Sequence, residues 1–181
     1  VANAERTVPR ELGMATGCGA VSGAVYKATG VEPVSSAGKP ESAMYDEARL
    51  RAAHDDAEPV AKELCLAIGD RLDTDIEAGN RGGYDSLAVL TGVTNPHELM
   101  FAPAQLRPTF IAKDLRGLNE PAPTVERLAA GNLVCGGVRA GCDGNALDAD
   151  AVTTVDGLCV AHHDLWEAAE PGRDLHGINC S

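Results

Sequence analysis

The stretch Leu64–Leu90, "LCLAIGDRLDTDIEAGNRGGYDSLAVL", decides the reading of this chain. Leu64 to Ile68 is a continuous apolar run closed by Gly69. A run without alternation suits a strand buried on both faces, as in a parallel sheet. Asp70, Asp73 and Asp75 follow within six residues. Thr74, with Glu77 three residues on, has the pattern of a capping box for a short helix, and Gly82–Gly83 end it. Ser86 to Leu90 then reads as a second buried strand.

The same alternation continues downstream. Asn95, Pro96 and Glu98 occupy the N-cap, N1 and N3 positions of another helix, and Thr109–Ala112 is a third short strand. Strand, helix, strand, helix, strand is the order of a doubly wound α/β sheet. Upstream, Thr7-Val8-Pro9 reads as a loop. Gly19 to Thr29 reads as a helix, with Val21, Ala24, Val25 and Ala28 on one face and Gly30 as its stop. A turn at Gly38-Lys39-Pro40 precedes a helix opened by Pro40 or Ser42 and running to about Ala53.

Pro121 and Pro123 mark a linker, after which the composition changes. Leu133–Cys142 could form a hairpin, and Asp148–Ala169 reads as a helix with Val152, Val155, Cys159 and Trp166 near one face. His162 and His163 are adjacent, so on a helix they diverge and make no paired metal site.

Composition narrows the classes. With 44% apolar residues among 181, the chain can build a core. No apolar run approaches the roughly 20 residues that span a bilayer. A net charge of -12 with scattered lysines argues against a nucleic-acid surface, which needs a clustered basic footprint. A small anionic ligand stays compatible, because a site can be locally positive on an acidic protein. The six cysteines show no C-x-x-C and no zinc spacing, which favours a reducing, cytoplasmic setting.

The acidic loop carries the chemistry. In an open parallel sheet, ligands bind beyond the carboxyl ends of the strands, and Asp70 stands there. Asp75 falls in the next turn, so both carboxylates can face one point. Converging anions need a cation, and hard oxygen donors beside a phosphate suit Mg²⁺. An EF-hand is excluded. Counted from Asp70, positions 3, 6 and 12 are Leu72, Asp75 and Arg81 instead of Asp, Gly and Glu. Taken alone, the cluster is equally a capped helix with a solvated acidic turn. Lys39, a cation in a tight turn before a helix, makes the combination more specific.

Four stretches, "ANAERTVPRELGMATGCGAVSGAVYKATGVEP", "GKPESAMYDEA", "LCLAIGDRLDTDIEAGNRGGYDSLAVLTGVT" and "RPTFIAKDLRGL", resemble the haloacid dehalogenase (HAD) superfamily of phosphatases. The resemblance covers about Val1 to Leu118 and is greatest in the NagD-like, C2-capped branch. The tail adds a likeness to actinobacterial glycerol 3-phosphate phosphatases, which carry an acetyltransferase-like C-terminal segment. The fold implied is α/β, the second half of a HAD-like Rossmannoid three-layer α/β/α parallel sheet. Residues 1–36 would be the end of the cap, 37–120 the core half, and 121–181 a linker and small appendage.

The resemblance implies Mg²⁺-dependent hydrolysis of a small phosphomonoester, glycerol 3-phosphate or a 2-phosphoglycolate-like ester, through an aspartyl-phosphate. Asp70 would bind Mg²⁺ directly. Asp75 would hold a metal-bound water or the loop, Lys39 would stabilise the phosphoryl group, and Asn3 and Glu5 would face the substrate. Glu5 stands where the family has Asp, and Cys18 where Asn is common. Asp73 falls at a variable position and is expected to be solvated. The family's nucleophile lies in a D-x-D-G-[TV] motif, and no D-x-D precedes Lys39. The expectation is therefore a fragment, inactive alone, that exposes the face where the first strands would pack. A homodimer could form through the tail. The competing reading is a non-catalytic binding or regulatory α/β module. A nucleotide-binding domain is disfavoured, since no G-x-G-x-x-G follows a strand and no Walker pattern occurs.

Overall fold

The computed structural model describes residues 2–53, 58–128, 133–140, 142–143, 146–147, 154–159 and 179–180. Most of the expected tail helix, including Asp148–Asp150, His162, His163 and Trp166, lies outside the described residues. A helical turn is present at 155–159.

The chain forms two compact units, Val1–Ala88 with Gln105–Phe110, and Val89–Ala104 with Ile111–Ser181. The first unit opens with β1 (Thr7–Arg10) and β2 (Gly13–Thr16), an antiparallel hairpin pairing Thr7 with Thr16 and Arg10 with Gly13. This corrects the loop expected at Thr7–Pro9. Pro9 lacks a donor, and a two-stranded ribbon tolerates that at its edge. Helix α1 (Cys18–Thr29) follows and stops at Gly30, whose φ of 71° needs glycine's freedom. Its apolar face is not buried: Val21 and Val25 are both exposed. Helix α2 (Ala43–Ala52) begins after Ser42, as expected, and likewise buries no residue among those described.

Strand β3 (Leu66–Gly69) runs parallel to β4 (Asp85–Val89), with Leu66 beside Asp85 and Gly69 beside Ala88. The sheet order is β3-β4-β5, with β5 at Phe110–Ala112. The expectation of strands buried on both faces holds for β4, where Ser86 to Val89 are all buried. It fails for β3, the edge strand, where Leu66 is 38% exposed and the preceding Leu64, in a 3₁₀ turn rather than the strand, is 79% exposed.

Between β3 and β4 the chain makes a wide turn at Leu72–Ile76, where Ile76 N–H donates to the Arg71 carbonyl five residues back. It runs directly into α3 (Glu77–Gly82), which ends at Gly83. Thr74 is buried inside this turn and caps nothing, because no helix begins there.

Polar ties fasten the first unit. Asp46 on α2 accepts from the Tyr84 hydroxyl at 2.6 Å and pairs with Lys62 at 3.0 Å. Asn80 on α3 donates to the Gln105 and Arg107 carbonyls, both at 2.9 Å, and accepts from the buried Ser86 hydroxyl at 3.1 Å.

In the second unit, α4 (Pro96–Met100) has the expected capping box. Glu98 N–H donates to Asn95 Oδ1 at 2.9 Å, and Asn95 N–H to the Glu98 carboxylate at 3.3 Å. Leu99 and Met100 are the buried residues of this helix. Further on, β6 (Glu126–Arg127), β7 (Leu133–Cys135) and β8 (Val138–Ala140) form an antiparallel sheet. The β7–β8 hairpin, expected within Leu133–Cys142, turns at Gly136–Gly137, both with positive φ. Short strands β9 (Cys142–Asp143), β10 (Ala146–Leu147) and β11 (Asn179–Cys180) pair in the order β11-β10-β9.

Two stability outcomes follow from these ties. Asn80→Ala strands the two carbonyls and the Ser86 hydroxyl, so unfolding in urea followed by circular dichroism should show a loss of about 2 kcal/mol. The Tyr84 hydroxyl, and next the Lys62 ammonium, hold the Asp46 carboxyl at about 2, below its ordinary 3.8. A depressed carboxyl stabilises above its unfolded value and loses that contribution as pH falls through the folded one. Asp46→Asn should therefore lower Tm at pH 7, and the gap to the native chain should close between pH 4 and pH 2.

Candidate functional site

Asp75 is the most buried charged group of the acidic loop, with its side chain only 9% exposed. A carboxylate this deep persists only when paired and hydrogen-bonded. Both oxygens are engaged: Oδ1 takes the Lys39 Nζ at 2.5 Å, and Oδ2 accepts from the Arg71 backbone N–H at 3.1 Å. The contact spans 36 positions of sequence and brings together two of the residues singled out above.

The loop geometry follows from the strand it leaves. A Cβ on Gly69 would collide with the Asp75 carboxyl group, so β3 must end in glycine for the turn to fold back against it. Asp70 comes next, half-buried at the carboxyl end of β3. The Tyr45 hydroxyl, from α2, donates to the Asp75 carbonyl at 3.3 Å. Burial, and then the Asp75 charge, push the Tyr45 hydroxyl up to about 12, so it stays a donor at neutral pH.

Lys39 is placed from the other side. Its carbonyl accepts from the Ala4 N–H at 2.9 Å. A Cβ on Gly38 would strike the Ala2 carbonyl and come within 2.5 Å of Asn3 Oδ1. Asn3 therefore lies beside the Gly38–Lys39 turn. The Glu5 carbonyl accepts from Gly19 N–H at 2.8 Å, while its Oε2 is buried with no hydrogen-bond partner among the described residues. Cys18, at the start of α1, has its thiol drawn below the ordinary value by backbone hydrogen bonding at Asn3, with opposing desolvation.

Asp73 is solvated as expected, and it also carries an ion pair. It is 58% exposed, and Arg71 forks onto both of its oxygens, at 3.0 and 2.9 Å. Sequence reading missed Arg71 and Tyr45. For Arg71 the signal was a lone cation inside a run of three carboxylates.

Among the described residues, no three His, Cys, Asp or Glu side chains gather into a metal cage. The donor chemistry still fits one cation type. Asp70 offers hard carboxylate oxygens at a strand end, and Mg²⁺ takes one or two carboxylates and otherwise keeps waters or phosphate oxygens. Asp75, already accepting from Lys39 and Arg71, fits the outer position better than direct ligation.

Residues 36–118 match the protein family described as HAD-hydrolase-like. A D-glycerol 3-phosphate phosphatase of Mycobacterium tuberculosis is 41% identical over 119 residues, 66% of this chain and 31% of that protein. An acid sugar phosphatase of Staphylococcus saprophyticus is 36% identical over 62% of this chain and 40% of its own length. Among solved structures, the glycerol phosphate phosphatase of Mycobacterium tuberculosis in complex with magnesium superposes with a TM-score of 0.62 at 33% identity. That match covers 93% of this chain and 48% of the other. The chain thus spans about half or less of the relatives it matches.

The Gly69 constraint gives a direct test. Gly69→Ala should cost about 1–3 kcal/mol in thermal or urea unfolding, because the added methyl displaces the Asp75 carboxylate from Lys39. Gly83→Ala, with nothing within 4 Å of the new methyl, should cost only its backbone penalty of about 1 kcal/mol.

Proposed function

We propose, from the match of residues 36–118 to the HAD-hydrolase-like family, that the chain carries the metal- and phosphate-binding half of a phosphatase acting on a small phosphomonoester. The observation that carries this reading is the Lys39–Asp75 contact beside Asp70 at the end of β3. It fixes an ammonium group next to a half-buried carboxylate where an open parallel sheet binds its ligand.

Asp70 would be the Mg²⁺ ligand, and Asp75 would orient Lys39 and a metal-bound water. Mg²⁺, when bound, would offset negative charge on the phosphoryl oxygens. Lys39 would donate to those same oxygens, a preorganised charge that strengthens as charge builds in the transition state. Asn3, beside the Lys39 turn, and Glu5, whose Oε2 has no hydrogen-bond partner among the described residues, would face the rest of the substrate. Residues 1–36 are read as the end of a cap, 37–120 as core and 121–181 as linker and acetyltransferase-like appendage. A cytoplasmic setting and a homodimer belong to the same proposal.

The name of one relative points to glycerol 3-phosphate first, and the family resemblance adds a 2-phosphoglycolate-like ester as the second candidate. Hydrolysis would pass through an aspartyl-phosphate on an aspartate of a D-x-D motif. No such motif stands before Lys39. This chain alone is therefore expected to bind Mg²⁺ without turning over ester.

Calorimetric titration with Mg²⁺ and a phosphate-release assay on glycerol 3-phosphate test both halves. The native chain should bind Mg²⁺, Asp70→Asn should weaken binding at least about tenfold, and neither should release phosphate. Absence of Mg²⁺ binding overturns the metal assignment, and clear turnover overturns the division of the site.

A further inference from the structure

Arg71 sits among the three carboxylates and has partners on two separate stretches of the chain. Its guanidinium forks onto Asp73, while Nη1 reaches the Thr7 carbonyl at 2.9 Å across 64 positions of sequence. Its backbone N–H holds Asp75 Oδ2. The side chain is only 17% exposed. A plain surface ion pair is open to water at both ends, flexible and worth little, whereas here the guanidinium end is mostly enclosed and tied to a third partner, with only the Asp73 end open to water.

The two ends of these contacts matter. Thr7 is the first residue of β1, two residues beyond Glu5 and four beyond Asn3. Asp73 is the carboxylate of the loop that faces water most. Arg71 thus occupies both oxygens of the acid that a cation at Asp70 could recruit, and it anchors the hairpin behind the two N-terminal site residues. The Asp73 fork, and after it the Glu5 and Asp70 charges, hold the guanidinium above its ordinary value against the cost of desolvation. Arg71 is therefore a counter-ion to Glu5 and Asp70 as well as a partner of Asp73.

We propose that Arg71 is a positioning residue of this site: it withholds Asp73 from the bound cation and pins the β1–β2 hairpin, keeping Asn3 and Glu5 beside the acidic loop. The first half rests on the reading of Asp70 as the Mg²⁺ ligand, and the second does not. The sign of the effect separates this role from a merely structural one. Loss of a residue that only supports the loop weakens Mg²⁺ binding. Loss of Arg71 removes a competing positive charge and releases a carboxylate, so Mg²⁺ binding tightens.

The experiment uses the full chain, with Mg²⁺ alone as the titrant in calorimetry and hydrogen–deuterium exchange read on residues 7–16. Arg71→Ala should bind Mg²⁺ about threefold tighter or more, the effect of one unit charge removed at close range. Its hairpin amides should exchange several-fold faster than those of the native chain. Arg71→Lys keeps the charge and loses the fork, so it should free the hairpin with a smaller gain in affinity. Asp73→Asn should change native affinity little but abolish the gain in the Arg71→Ala background. Equal or weaker Mg²⁺ binding by Arg71→Ala overturns the withholding of Asp73. Unchanged hairpin exchange in both Arg71 variants overturns the pinning. A native chain that binds no Mg²⁺ overturns the metal reading and the first half with it, leaving the hairpin exchange to decide the second. The conservative Arg71→Lys substitution keeps the test decisive if the alanine variant does not fold.

Discussion

The buried carboxylate of Asp75 is the constraint on which the first unit depends. A charge with so little exposure is costly unless every oxygen is paired. Lys39 and the Arg71 backbone provide the partners, and each imposes a condition elsewhere. Lys39 must be delivered by a turn whose glycine lets residues 2–4 pass against it. The turn after β3 must be wide enough to bring residue 75 back over residue 69, and residue 69 can then carry no side chain. A strand end, a turn type, two glycines and a long-range ion pair are thus consequences of one desolvated charge.

Polar interactions do much of the orienting here because α1 and α2 contribute little apolar burial. Neither α1 nor α2 buries a residue among those described. The Asp46–Tyr84–Lys62 cluster fixes α2 near the end of α3, and α2 in turn supplies the Tyr45 hydroxyl to the Asp75 carbonyl. Hydrogen bonds have directional requirements that apolar contacts lack, so such ties hold side-chain positions closely even where burial is shallow. That is a useful property beneath a site whose groups must meet at hydrogen-bond distance.

The sequence made some of this plain and hid the rest for identifiable reasons. Helix stops at Gly30 and Gly83 and the Asn95 capping box were legible because local backbone chemistry alone decides them. The parallel β3–β4 pair was legible from its apolar runs. The exposure of β3 was not, because a strand's place at the edge is a property of the sheet and leaves no mark on its own residues. Thr74 looked like a cap, but the wide turn continues into α3 and leaves no helix start to cap. The β1–β2 hairpin was hidden by Pro9, which reads as a breaker, although an edge strand admits it. Lys39 and Asp75 could be marked as candidates. Their contact, 36 residues apart, could be suggested only by family resemblance, and the competition between Asp70, Asp73 and Arg71 was beyond reach of spacing.

That competition explains how an acidic protein can present a site for an anion. The net charge of -12 describes the whole chain, but potential at a site falls off with distance and screening. At the end of β3, Lys39 answers Asp75 and Arg71 answers Asp73. The carboxylates closest to the cations are therefore largely neutralised within the loop. Asp70 stands at the carboxyl end of β3, where the sheet directs its ligand, and the Arg71 guanidinium feels its charge. A divalent cation there would exceed the single charge of Asp70 and leave positive charge for a phosphate oxygen to meet. The pairing of the other two acids is what makes that arithmetic possible: with Asp73 and Asp75 unpaired, the same cation would be consumed by carboxylates and would hold an anionic ester poorly.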